Sequence, residues 1–221
     1  MWHDYSMTDP FIIDIWSDVV CPFCYLGTRQ LDQALGLFEH REDVVLRIRA
    51  FELDPQAPSD YGVSLPELLA EKYAMPVERV LAMNDRLEGE ARVLGMSWSL
   101  ATALPTNTFD AHRLIALATT QGLGEAMAQR LFLAYFSEGK LLSDHAVLGT
   151  LANEVGVTGA GELLVSDRYA SDVRSDESQA QDLGISGVPS MLVDGKFLVV
   201  GAQGTPHILD VIERAWARRG A

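Results

Sequence analysis

An apolar run, Phe11-Ile12-Ile13-Asp14-Ile15-Trp16, leads within a few residues into Cys21-Pro22-Phe23-Cys24, which holds both cysteines of the 221-residue chain. This junction limits the fold more than any other stretch. The run is rich in β-branched and aromatic residues, the composition of a buried strand. Beyond the cysteines, Leu31, Leu35 and Phe38 recur at helical spacing in line with Cys24. Pro22 suits a first helical turn, where its missing N–H costs nothing. The chain is expected to pass from strand to helix with Cys21 at the helix N-terminus.

That placement carries chemistry. Unpaired N–H groups and the helix dipole favour negative charge at a helix N-terminus. C-x-x-C thiols in such places can titrate at roughly 3.5–7.5 instead of near 8.5. Cys24, about one turn further on and on the same side, can attack a mixed disulfide formed at Cys21. Cys21 is the expected nucleophile and Cys24 the resolving thiol. Two other readings stand beside this one. Half of a zinc site would need further Cys or His ligands, yet no second cysteine pair exists and His3, His40, His112, His145 and His207 lack ligand spacing. Two unreactive core cysteines remain the bland alternative, which the strand–turn–helix context disfavours.

Length allows a full core in one domain, or in one domain with a large insertion. A net charge of −14 with no basic patch argues against nucleic-acid and anionic-membrane partners. Residues 1–10 are polar and acidic, read as a loose tail and not as a signal peptide. No apolar stretch is long enough to span a bilayer, so a cytoplasmic location is expected. In a reducing cytosol a C-x-x-C is more often catalytic or redox-sensing than a structural staple.

Further along, Val44 to Phe51 reads as a second strand, closed by Asp54-Pro55. Strand, helix and strand make a βαβ unit with parallel strands. A helical region follows. Helices are expected to start at Leu65-Pro66-Glu67 and at Val77, to run from Phe109 to Thr120 behind an Asn107 or Thr108 cap, to run from Glu125 to Ser137, and to start behind Asp144. A polar helix from Arg168 to Leu183 comes next, then two apolar runs around Asp194-Gly195, a strong hairpin signal. Thr205 is expected to cap a last helix that buries Ile208, Val211, Ile212 and Trp216.

With Cys21-Pro22-Phe23-Cys24 at one end of this order and Gly187-Val188-Pro189-Ser190 opening the hairpin at the other, the chain resembles the thioredoxin superfamily. The helical block after the second strand resembles its DsbA-like branch. Cys24-Tyr25-Leu26-Gly27, Phe51-Glu52-Leu53-Asp54-Pro55, Asn107 to Arg113, Leu131 to Gly139 and Val200-Gly201-Ala202-Gln203 are similar to the FrnE-like subfamily. The implied class is α/β, a thioredoxin fold with an inserted all-helical domain. It divides into 11–58 with 145–221 for the discontinuous thioredoxin part and 59–144 for the insert. The implied function is thiol–disulfide oxidoreductase, acting on protein or small-molecule thiols and disulfides. It needs no cofactor, and glutathione is a possible substrate or reductant. Monomer and homodimer are both left open.

The resemblance also implies a cis Val188–Pro189 peptide facing the cysteines, with Pro22, Phe23, Val188 and Pro189 meeting substrate. From the residues alone, Pro189 would simply begin a strand in trans. Pro-Phe between the cysteines, in place of the Pro-His of periplasmic DsbA oxidants, adds no donor near the thiolate and implies a weaker oxidant. Asp14 is a candidate for proton transfer to or from Cys24; its rival reading is pairing with an arginine or a backbone N–H. Asp18 reads as a loop residue bonded to nearby backbone. His112, Asn107 and Trp16 are cleft candidates, with Trp98 and Met191 as further apolar lining, and core or capping roles compete for each. Two other functions remain. One is a glutathione-dependent isomerase of the 2-hydroxychromene-2-carboxylate type, in which a serine usually replaces the first cysteine. The other is a chaperone-like binder of unfolded chains.

Overall fold

A computed structural model of the chain describes residues 10–219. Of the expected N-terminal tail, residues 1–9 lie outside the described residues. Strand β1 (Phe11–Ser17) leads through a short turn into α1 (Pro22–Leu37), and β2 (Val44–Ala50) returns alongside. β1 and β2 pair in parallel, Phe11 opposite Val44 and Ser17 opposite Ala50. The crossover helix explains this, since parallel neighbours need a long connection.

Next come α2 (Leu65–Lys72), α3 (Val77–Val93), α4 (Phe109–Thr119), α5 (Gly124–Phe136), α6 (His145–Val155), α7 (Ala160–Leu164) and α8 (Ala170–Asp182). The chain then forms the hairpin of β3 (Ser190–Val193) and β4 (Phe197–Val200) and closes with α9 (Thr205–Ala217). The sheet order is β2-β1-β3-β4, with β3 antiparallel to both β1 and β4. Asp194 and Gly195 take left-handed backbone angles, φ 51° and 64°, in the hairpin turn that their sequence announced.

Local chemistry sets the helix ends. Ser64 accepts from the Glu67 N–H while the Glu67 carboxylate accepts from the Ser64 N–H, a complete capping box for α2. Asp144 accepts from the N–H groups of Ala146 and Val147, and Gly156 closes α6 in the left-handed region. One expected cap differs. Gly204, not Thr205, occupies the cap of α9, and the Thr205 hydroxyl instead donates to Gln33 of α1 at 2.9 Å. The short α7 was not expected, because five residues show too little periodicity to stand out.

Two large apolar clusters divide the molecule. One joins the sheet to α1 and α9 through Phe11, Ile13, Leu31, Leu35, Val193 and Ile212. The other fills the helical layer and takes in Val19, Cys21, Cys24 and Leu26 together with Leu114, Leu131, Phe132, Leu151 and Leu163. Because α6 and α7 contribute Leu151 and Leu163, this helical packing continues past residue 144. The cysteine turn sits where the two layers meet.

Candidate active site

Cys21 occupies the cap of α1 in extended conformation, φ −90° and ψ 114°, with Pro22 first in the helix. Its N–H donates to the Asp18 carbonyl at 3.0 Å, and its own carbonyl accepts from Cys24 (3.0 Å) and Tyr25 (3.2 Å). Both sulfurs are thiols. Cys21 keeps 5% of its surface and Cys24 none, so only the first can be reached from outside. Phe23, between them, is half exposed beside that opening.

Val188–Pro189 is a cis peptide, in agreement with the expectation drawn from resemblance. The Cys21 thiol lies 3.7 Å from the Val188 carbonyl oxygen, which accepts from it. Pro189 is held from two sides. Its carbonyl accepts from the Gly201 N–H at 2.7 Å, and its ring abuts α1 at Gly27, where an added Cβ would stand 2.8 Å from Cγ. A glycine is required there for helix and loop to approach so closely.

The two thiols differ in acidity. The Cys21 thiol is held below its ordinary value, chiefly because the Cys24 thiol donates to its sulfur, with help from the N–H groups of Cys24 and Phe23. Burial and the Asp18 carboxylate oppose that trend. Burial pushes the Cys24 thiol well up, and its partner thiol pushes it further. Of the two, the accessible sulfur is the easier to ionise and the enclosed sulfur the harder.

Several sequence candidates are placed elsewhere. Asp14 accepts from Arg49 Nε at 2.7 Å, and Arg49 reaches on to Asp176 at 3.0 Å. This is the arginine pairing, not a carboxylate at Cys24. The acidic residue that touches Cys24 is Asp18, whose N–H donates to Sγ at 3.5 Å. Asp18 is the expected loop residue bonded to backbone, and it is also buried beside a histidine. It is 1% exposed, it accepts from the Leu53 N–H at 2.8 Å, and its Oδ1 lies 3.4 Å from Nε2 of His112.

His112 therefore does not face an open cleft; α4 buries it behind the dithiol. Nor does Trp16 line a cleft. It is fully buried against Ala180 and Ile185, and its indole N–H donates to the Asp176 carbonyl. Asn107 accepts from the Phe109 N–H at 2.9 Å and donates to the Ala57 carbonyl, tying α4 to the segment after β2. Met191 is buried as well, whereas Trp98, mostly buried and stacking on Tyr25 at 5.5 Å between ring centres, does border an open groove, with Tyr25, Arg29 and Met96.

Glu52, which stands out in the sequence only within the Phe51-to-Pro55 stretch, lies at the same layer of the site. Its side chain is fully enclosed and pairs with Arg174, and Arg174 also binds Glu177. Burial raises the Glu52 carboxyl despite Arg174. An acid ending a strand run gives no period or spacing by which to find such a role. Among the described residues, no three metal-ligating side chains gather. None of the described helices is long and apolar enough to cross a membrane.

A strand–helix turn bearing paired cysteines, opposite a cis-proline loop and under a helical layer, defines a thioredoxin-type dithiol site. The chain belongs to the DSBA-like thioredoxin domain family, whose model matches residues 12–213. It is 28% identical over 207 residues to the uncharacterized protein YwbO of Bacillus subtilis, covering 92% of this chain and 94% of that one. A probable DsbA oxidoreductase from Streptomyces coelicolor superposes with TM-score 0.90 at 33% identity, over 94% of this chain and 90% of the other. Two more distant structures share the fold. The cytosolic disulfide reductase DsbM of Pseudomonas aeruginosa, also solved with GSH, gives TM-score 0.61 at 20% identity over 94% and 96%. A 2-hydroxychromene-2-carboxylate isomerase gives 0.64 at 17% over 94% and 95%.

Proposed function

We propose that the protein is a thiol–disulfide oxidoreductase with Cys21 as nucleophile and Cys24 as resolving thiol. The Cys21 thiolate attacks one sulfur of a substrate disulfide, forming a mixed disulfide and releasing the first substrate sulfur as a thiolate. Cys24, once deprotonated, attacks the Cys21 sulfur and releases the second substrate thiolate. Two electrons pass from the dithiol to the substrate, and a Cys21–Cys24 disulfide remains. The reverse sequence oxidises a substrate dithiol. The sulfurs carry the electrons, so the exchange calls for no cofactor.

The observation that carries this reading is the contrast between an acidic, reachable Cys21 and a raised, enclosed Cys24 at one helix N-terminus. The similarity to a chain named a probable DsbA oxidoreductase supports it. Pro22, Phe23, Val188 and Pro189 border the sulfur and would flank an extended protein segment or a small thiol such as glutathione. Phe23 supplies apolar contact without a proton donor, which points to a couple less oxidising than one with histidine there.

The test is a titration of the pair in glutathione buffers, read by thiol alkylation and gel shift. A reversible two-electron transition within about −270 to −120 mV is expected, toward the reducing end. Cys21→Ser should abolish exchange, and Cys24→Ser should trap mixed disulfides. A pair that never forms a disulfide, or full exchange by Cys21→Ser, overturns the reading.

A further inference from the structure

Behind the dithiol lies a buried pair, the Asp18 carboxyl group and the His112 imidazole, that the exchange steps leave unused. Asp18 is its hub. Its backbone grips both cysteines, accepting from the Cys21 N–H at 3.0 Å and donating to Cys24 Sγ at 3.5 Å. Its carboxylate uses Oδ2 to accept from the Leu53 N–H and presents Oδ1 to Nε2 of His112 at 3.4 Å. The two side chains are only 1% and 2% exposed, and neither Oδ1 nor Nε2 makes a hydrogen bond of good geometry to another described group. Charges so enclosed are screened by little beyond each other, and either one alone would be costly.

The surrounding arginines Arg49 and Arg174 are already engaged by other acids, two carboxylates to each. Glu52, after β2, and Glu177, on α8, share Arg174. Asp14 and Asp176 share Arg49. Next to His112 in α4, Arg113 is turned toward Asp110 and the carbonyls of Leu163, Ser166 and Arg168. Tyr135 of α5 carries a neutral phenol near Asp18. Among the described residues, His112 is thus the cation within ion-pair distance of Asp18.

We propose that His112, delivered by the helical layer, is a positioning residue that keeps Cys21 reactive by holding a positive charge against Asp18. The proposal rests on the dithiol reading above and adds what sustains its nucleophile. Asp18 is the charge that works against the Cys21 thiolate, and a protonated His112 cancels it. Burial would push the His112 ring toward neutrality, yet Asp18, Glu52 and Glu177 outweigh burial and hold it above the ordinary histidine value. The helical layer in this way reaches the sulfur without touching substrate.

The experiment reads the thiolate itself: absorbance of reduced protein near the thiolate band across pH, together with iodoacetamide alkylation rates at Cys21. Four proteins are compared, namely wild type, His112→Gln, Asp18→Asn and the double variant. Wild type and the double variant place no net charge at the pair, and His112→Gln leaves one uncompensated anion. In Asp18→Asn the acid that chiefly holds the proton on the buried His112 is gone, so no anion is left to oppose the Cys21 thiolate. His112→Gln should raise the midpoint of the Cys21 titration by about one pH unit and slow alkylation below that midpoint on the order of tenfold. The double variant should return to within about threefold of wild type. An unmoved pH profile in His112→Gln overturns the proposal, as does a double variant as slow as the single one.

Should His112→Gln fail to fold, coupling is tested from the other side, because it is reciprocal. The His112 ring, titrated by NMR, should hold its proton to higher pH in wild type than in Cys21→Ser; equal midpoints overturn the proposal. A thiolate titrates whether or not it exchanges disulfides. A redox-inactive pair would therefore sink the proposed function while leaving this test able to decide on its own.

Discussion

The sheet layer and the helical layer serve the cysteines in different ways. The sheet layer, with Ile13, Leu31, Leu35, Val193 and Ile212 at its centre, fixes backbone: it sets the end of β1, the start of α1 and the hairpin that presents Val188 and Pro189. The helical layer supplies surroundings. It buries Cys24, sandwiches Tyr25 against Phe132 and Trp98, and delivers His112 to Asp18. The Cys21 sulfur is therefore held by one layer and surrounded by the other.

The comparison is most sharply tested by one truncation in each layer. Phe132 is 2% exposed and lies parallel to Tyr25, 3° between planes and 4.8 Å between centres. Phe132→Ala should cost about 3–5 kcal/mol and also move the thiolate titration of Cys21, because Tyr25 directly follows Cys24. Leu31→Ala in the sheet layer should cost about 2–5 kcal/mol while leaving that titration in place. Urea melts and alkylation rates on both variants check the pair. Equal thiol shifts would erase the division.

A smaller effect probes the seam between the helix and the proline loop. Gly27→Ala drives a methyl toward the Pro189 ring, which the Gly201 bond holds in place. The clash, about 1–3 kcal/mol, should exceed the gain of up to about 1 kcal/mol from better helix propensity, for a net loss in Tm. Gly36→Ala, on the same helix with open space around it, should instead stabilise by about 0.5–1 kcal/mol. Asp14→Asn should change least at the sulfurs. It disturbs the Arg49–Asp176 network but leaves the Cys21 alkylation profile within about twofold, since Asp18 is the acid that meets the dithiol. A large shift would return Asp14 to the role of proton carrier.

Much of this fold could be read from the chain. The apolar run ending near Cys21, the Pro22 start, the Leu65-Pro66-Glu67 start, the Asp144 cap and the Asp194-Gly195 turn each act within a few residues, and each appears in the structure. Thr205 misled because its hydroxyl found Gln33, a partner far away in sequence. The same limit governed the site. Asp14 and Asp18 look alike as acids near a C-x-x-C, and a histidine in an apolar stripe looks like core.

What the sequence by itself determined is the order of elements and the chemistry at their junction: two thiols at a helix start and a Val-Pro opening a hairpin. Periodicity, capping and proline geometry are local, so they survive in one dimension. Only the tertiary structure decided which acid serves which partner. Arg49 takes Asp14, and His112, 94 positions beyond Asp18, comes to rest 3.4 Å from it. Charge pairing and burial depend on distance in space, and folding alone brings those groups together.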